Sequence, residues 1–231
     1  MVLDSPPASV SSILAQAQLA TFTESDEFIK EPLLKRPFDI ALAVVMLLMS
    51  ALVWVAIAIT IKIEDGGPIF YLQERWGRNQ TRFQVFKFRS MVSSSDRDFG
   101  VRQAMENDQR VTRVGRFLRA TGLDELPQLI NILQGDMSFV GPRALSTSER
   151  NRDSTPLLYE NTPGFSTRLR VRPGLTSLAT VYLPKDAPSL LKFRADLLYV
   201  QRLSFWLDMQ LIVQSFWISF RGKWETRNQK V

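Results

Sequence analysis

The 231-residue chain contains neither cysteine nor histidine. Without cysteine there is no disulfide, no thiolate nucleophile and no thiolate-ligated zinc. Without histidine, a Ser-His-Asp triad and an imidazole metal site are excluded as well. Acid–base work must therefore fall to Asp, Glu, Lys or Tyr. Any metal must be a hard cation held by oxygens, with Mg²⁺ the leading choice and Mn²⁺ the next. Charge is also missing from one long stretch: no Asp, Glu, Lys or Arg occurs from Ile40 to Ile61, and no proline between Pro37 and Pro68. Internal repeats are absent.

What is present begins with that uncharged run. As an α-helix it reaches roughly 33 Å, about the hydrocarbon thickness of a bilayer. We read it as membrane-inserted, with a buried core helix as the alternative. Lys35 and Arg36 precede it, and Lys62, Arg75 and Arg78 follow. Basic residues on both sides set no orientation for a spanning helix; they fit a helix that enters and leaves on one face. Residues 1–34 read as a polar, partly disordered leader, with a short helix around Ser11 to Ala20 and without a signal-peptide pattern. The net charge of +6 suits phosphate-bearing substrates, anionic lipid or nucleic acid without choosing among them.

After the run, Gly66, Gly67 and Pro68 break the helix. Two β-like stretches, Ile69 to Leu72 and Phe83 to Phe88, flank a Gly/Asn turn and predict a hairpin. Ser93 to Asp108 reads as loop or irregular helix. Leu126, Leu129, Ile130 and Leu133 have helical spacing, and Gly135 is a helix stop. Residues 144–170 read as basic loop, and "VRPGLT" as a turn with one strand. Ser189 to Phe220 is helical and aromatic, predicting amphipathic helices at the lipid surface, with core packing as the alternative. Residues 64–222 form the expected catalytic domain and 223–231 a basic tail. The fold class is α+β, dominated by helix.

Asp124 and Glu125 are adjacent carboxylates just before a helix. Asp124 can be read as a helix N-cap. The surroundings suggest more: Arg110, Arg113, Arg116 and Arg119 recur every third residue before it, and Arg143 follows. A helix N-terminus with convergent arginines suits phosphate, and a carboxylate there can attack phosphorus to give an acyl phosphate.

The segments "KRPFDIALAVVMLLMS", "GPIFYLQERWGRN", "FQVFKFRSM", "LDELPQLINILQGDMSFVGPR" and "VRPGLT" closely resemble the bacterial sugar transferase family, the monotopic polyprenyl-phosphate phosphoglycosyltransferases. The resemblance runs from about Lys35 to Phe220. It implies transfer of a sugar 1-phosphate from a UDP-sugar to undecaprenyl phosphate, initiating bacterial polysaccharide or glycoconjugate synthesis. It implies Asp124 as nucleophile and Glu125 as its partner, both toward Mg²⁺. It implies Lys87, Arg89, Arg119, Arg143 and Arg172 as phosphate or nucleotide contacts, with Asp196 and Gln128 as further polar candidates. It also implies a re-entrant membrane helix, a catalytic domain on the cytoplasmic face of the inner membrane, and an assembly that in some members is a homodimer.

The chain departs from the family at three places. Ala144 stands where a second proline is usual after Pro142 and Arg143. Ser177 to Tyr182 replaces a Trp/Leu-Ala-Gln-Val-Asn-Gly stretch. The Ser-Pro break of the membrane helix is missing, Ser50 being followed by Ala51 and Leu52. A straight spanning helix stays open, as does a non-catalytic membrane scaffold of the same fold. A nucleic-acid partner is not expected, because the arginines are not interleaved with stacking aromatics.

Overall fold

The structure, a computed structural model, describes residues 29–101, 104, 108–148, 159–184 and 187–221. The helix expected around Ser11 to Ala20 and the basic tail lie outside these residues.

Helix α1 (Lys35–Asp65) contains the whole uncharged run and ends at Gly66, whose left-handed φ of 70° lets its N–H close on the Lys62 carbonyl. It is one continuous helix of roughly 46 Å at the standard rise. Ser50 bonds the Met46 carbonyl at 2.6 Å, the back-bond expected of serine inside an apolar helix.

The two ends of α1 are tied to the rest of the chain in different ways. At the start, Lys35 is buried and its Nζ donates to Asp208 Oδ2 at 2.6 Å, to the Val140 carbonyl at 2.9 Å and to Tyr199 Oη at 3.2 Å. Arg36 donates to the carbonyls of Ile132 and Leu133, and Asp39 accepts from the Phe139 N–H. At the far end, Ile57 and Ile61 pack with Phe88 and Leu118, and Trp54 meets Phe70 and Phe88. Glu64 accepts from the N–H groups of Arg113 and Val114, and Asp65 pairs with Arg89. Between these ends Leu48, Met49 and Leu52 are 74–84% exposed.

Strands β1 (Phe70–Trp76) and β2 (Arg82–Phe88) form the expected antiparallel hairpin, Phe70 opposite Phe88. Its turn carries Asn79 at φ 54°, a conformation asparagine tolerates better than most residues. Short α2 (Ser95–Phe99) follows. Helix α3 (Arg113–Thr121) is capped by Thr112, whose hydroxyl accepts from the Gly115 N–H. A 3-10 turn at Leu123–Glu125 leads to α4 (Gln128–Gln134). Strand β3 (Ser138–Val140) pairs in parallel with β4 (Gly174–Thr176). Helices α5 (Phe165–Arg168), α6 (Leu178–Tyr182), α7 (Ser189–Gln201) and α8 (Phe205–Phe220) complete the order.

The main core joins α4, β3, α6, α7 and α8: Leu129, Ile132, Met137, Val181, Ala195, Tyr199 and Leu211 are all buried in it. The C-terminal helices divide by face. Helix α7 buries Phe193, Ala195 and every residue from Asp196 to Val200, so it is a core helix rather than an interfacial one. Helix α8 buries Leu211 and Ile218 but leaves Trp206, Val213, Phe216, Trp217 and Phe220 exposed.

Candidate active site

The carboxylate pair is placed by a change of backbone hand. Helix α3 ends on Gly122 at φ 74°, a left-handed value that costs glycine little. The chain then tightens into the 3-10 turn before Pro127 opens α4. At three residues per turn, successive side chains diverge by about 120°. Asp124 and Glu125 therefore leave the turn in different directions. Asp124 is 7% exposed. Glu125 reaches across to β2 and pairs with Lys87. Asp124 does not cap α4: Pro127 occupies the cap position, with no side-chain cap bond.

The two carboxylates differ in charge preference. Burial pushes the Asp124 carboxyl above its ordinary range, and the neighbouring Glu125 charge pushes it further; Lys87 and Arg119 only partly offset this. Burial also opposes charge on Glu125, but Lys87, then Arg143, outweigh it and hold that carboxyl below its ordinary range. The pair is thus split into a firmly ionised partner and a desolvated one that resists ionisation. Such a split is a common mark of a site that does chemistry.

Both face a cavity of about 460 Å³, with Lys87, Arg119 and Arg143 on the same wall. Arg143 follows β3 at a tight backbone crossing. A Cβ on Gly174 would lie 2.1 Å from the Gly141 nitrogen, so no larger residue fits there, and the loop bearing Arg143 is held against β4. Part of the cavity wall is apolar, with Met46 of α1, Leu175, and Ile212 and Phe216 of α8. One space thus carries cations and carboxylates together with the apolar side chains of the exposed helices.

The other expected residues separate. Gln128 is buried, its Nε2 without a hydrogen-bond partner, beside Lys87, Glu125 and Arg143 in a small adjoining hollow. Asp196 lies on the cavity wall, bonded to Arg168. Arg89 also borders the cavity, but its guanidinium is spent on Asp65 and the Pro68 carbonyl, which fastens β2 to the end of α1. Arg172 is outside the cavity wall: it bonds Glu31 at 2.6 Å and the Gly135 carbonyl at 3.0 Å. The leader thus reaches the domain through Glu31. The arginine series before Asp124 does not converge, because Arg113 and Arg116 are exposed and Arg110 is paired with Asp108. Of the series, only Arg119 reaches the cavity wall.

Among the cationic wall residues that escaped sequence reading are Arg75 and Arg168. Arg75 braces the Arg143 loop by donating to the Ala144 carbonyl at 2.8 Å. Arg168 is 1% exposed and bonded to Asp196. Each sits in a stretch with several arginines, where spacing does not single one out.

Among the described residues, no three acidic side chains gather as a metal cage. Magnesium usually takes one or two protein carboxylates and completes its shell with water and substrate phosphate. The oxygen donors of Asp124 and Glu125 fit that requirement.

The bacterial sugar transferase family matches residues 30–222. The exopolysaccharide production protein PSS of Rhizobium leguminosarum bv. phaseoli is 41% identical over 185 residues, 78% of this chain and 91% of that protein. The UDP-glucose:undecaprenyl-phosphate glucose-1-phosphate transferase of Escherichia coli is 39% identical over 198 residues, 83% of this chain and 41% of that protein. The UDP-N-acetylgalactosamine-undecaprenyl-phosphate N-acetylgalactosaminephosphotransferase of Aeromonas hydrophila is 35% identical over 185 residues, 79% of this chain and 42% of that protein. The match therefore spans most of the first relative and about two fifths of the other two. With a match across nearly all its described residues, the chain belongs to the bacterial sugar transferase family.

Proposed function

We propose that the chain transfers a sugar 1-phosphate from a UDP-sugar to undecaprenyl phosphate at the cytoplasmic face of a bacterial inner membrane, with Asp124 as the nucleophile. The observation that carries this reading is the cavity. Its wall brings a buried, reluctantly ionised carboxylate together with three cationic side chains and the apolar residues of α1 and α8. The names of the relatives from Escherichia coli and Aeromonas hydrophila support the substrate class.

The chemistry proceeds by two displacements at one phosphorus. An Asp124 carboxylate oxygen attacks the β-phosphorus of the donor. The bond from that phosphorus to the bridging oxygen breaks, and UMP leaves with the electron pair. The sugar phosphate is then held as an acyl phosphate on Asp124. An oxygen of undecaprenyl phosphate attacks the same phosphorus, and the carboxylate is released unchanged. No net proton transfer is needed, which suits a site without histidine. Lys87, Arg119 and Arg143 stabilise charge on the phosphate oxygens. Lys87 also keeps Glu125 ionised. Asp124 and Glu125 would hold Mg²⁺ or Mn²⁺ together with donor phosphate oxygens. When bound, the ion supplies positive charge that offsets repulsion between carboxylate and diphosphate.

The placement of α1 bears on topology. Lys35 at its start and Asp65 at its end are both fastened to the domain that bears Asp124. A bilayer between those two ends would have to pass through that domain. In this reading the helix dips into one leaflet from the cytoplasmic side, its exposed midsection around Leu48 to Leu52 deepest. The anchor then sets the cavity at headgroup depth, where a lipid phosphate resides.

The test is UMP release by purified protein given a panel of UDP-sugars, undecaprenyl phosphate and Mg²⁺. Release with at least one donor, dependent on the lipid phosphate for repeated turnover, is expected. No release with any donor would favour the scaffold alternative.

A further inference from the structure

Arg168 and Asp196 form a buried ion pair on the cavity wall, 1% and 2% exposed. Arg168 Nε and Nη2 both donate to Asp196 Oδ2, at 2.9 and 2.6 Å. Nη2 also bonds the Arg143 carbonyl. Two polar atoms of the pair are left over: Arg168 Nη1 and Asp196 Oδ1 are buried without a hydrogen-bond partner. An unfilled donor and an unfilled acceptor on charged groups are expensive to bury. A pair needed only to hold the fold would be expected to satisfy them.

An unfilled N–H on the arginine and an unfilled carboxylate oxygen on its partner are complementary to hydroxyls: one hydroxyl accepts from the arginine and another donates to the aspartate. The location narrows the source. Arg143 lines the same cavity as Asp124, Glu125 and Asp196, and its carbonyl accepts from Arg168 Nη2, so the Arg168–Asp196 pair adjoins the residue expected to contact phosphate. A phosphorus attacked by Asp124 and contacted by Arg143 carries its sugar one bond away, whereas the uracil is several bonds more distant. Phe193, over which the Arg168 guanidinium lies at 5.3 Å, also lines the cavity and holds the arginine in place. We infer that Arg168 and Asp196 bind hydroxyls of the transferred sugar and set which sugar the enzyme accepts. This rests on the proposed transferase reaction.

The experiment compares wild type with Asp196→Asn and Arg168→Lys in three measurements. The first is KM and kcat for UDP-glucose, UDP-galactose and UDP-N-acetylgalactosamine. The second is inhibition by UMP. The third, on wild type alone, uses UDP-glucose donors with single hydroxyls replaced by hydrogen or fluorine. The expected result is a rise in KM for the preferred donor of about 10-fold or more, the scale of a lost hydrogen bond to a charged group. Preference among the three sugars should flatten, UMP inhibition should stay unchanged, and one or two hydroxyl deletions should reproduce the loss in wild type. Weakened UMP inhibition in step with donor KM would assign the pair to the nucleotide and overturn the inference. An equal fall of kcat for all sugars with preference intact would show a structural pair and overturn it too. Should neither variant fold, equal tolerance of every hydroxyl deletion by wild type would be decisive against it. Wild type that releases UMP from no donor refutes the transferase reaction itself.

Discussion

At the residue scale, the site depends on two neighbouring carboxylates with opposite tendencies. The Asp124 carboxyl is raised by burial and by Glu125. Its proton is therefore bound more tightly in the folded chain than in the unfolded one. A carboxylate raised in this way stabilises the fold while protonated, and that contribution is lost as pH rises through the folded value. Asp124→Asn should consequently melt higher than wild type near neutral pH, and the difference should shrink toward acid pH. Its turnover should fall on the order of 10³-fold or more, as for other lost nucleophiles. Turnover by wild type should rise with pH through a point above 3.8, the ordinary aspartate value. Glu125→Gln behaves oppositely: it strands the Lys87 ammonium, 18% exposed, and should cost about 2 kcal/mol of stability. Thermal melts of both variants from pH 4 to pH 8 check the two signs. Sequence reading placed Asp124, Glu125, Lys87, Arg119 and Arg143 in one site by family motif, and the cavity wall holds all five. It grouped Arg172 with the phosphate or nucleotide contacts, but that side chain bonds Glu31, far earlier in the chain, and lies outside the cavity wall. Sequence reading did not find Arg168, because burial is not written into a run of arginines.

At the scale of elements, the clearest signals were those that local chemistry sets. The uncharged run gave α1, and turn residues gave the hairpin. The parallel pair β3 and β4 has three residues per strand, too few for a period-two pattern to register. The C-terminal helices were legible as helices but not as faces. Aromatic residues serve cores and lipid surfaces equally, and only packing shows α7 buried and α8 half exposed. The re-entrant reading of α1 puts both of its ends on the cytoplasmic side. Single cysteines can be placed in this cysteine-free chain at Ser12 and Ser94. A membrane-impermeant thiol reagent applied to intact spheroplasts should label neither position. Labelling at position 12 alone would establish a spanning helix and refute the re-entrant reading.

At the scale of the whole molecule, the fold brings the long apolar helix α1 and the cluster of carboxylates and cations to one cavity. The proposed reaction predicts a metal requirement: Asp124 and Glu125 both line the cavity, a donor diphosphate would add further negative charge there, and the chain has no histidine or cysteine to recruit a softer ion. EDTA should abolish UMP release, and Mg²⁺ or Mn²⁺ should restore it. Full activity in chelator would leave the cationic side chains of the cavity wall to stabilise charge without a metal.

The central claim is that Asp124 itself carries the sugar phosphate between donor and lipid. Intact-protein mass spectrometry tests it directly, after incubation of detergent-solubilised protein with Mg²⁺ and its active UDP-sugar but without undecaprenyl phosphate. Wild type should gain the mass of one sugar phosphate, lose it when undecaprenyl phosphate is added, and yield a labelled peptide containing Asp124; Asp124→Asn should gain nothing. An adduct on another residue, or undiminished turnover by Asp124→Asn, would contradict the account.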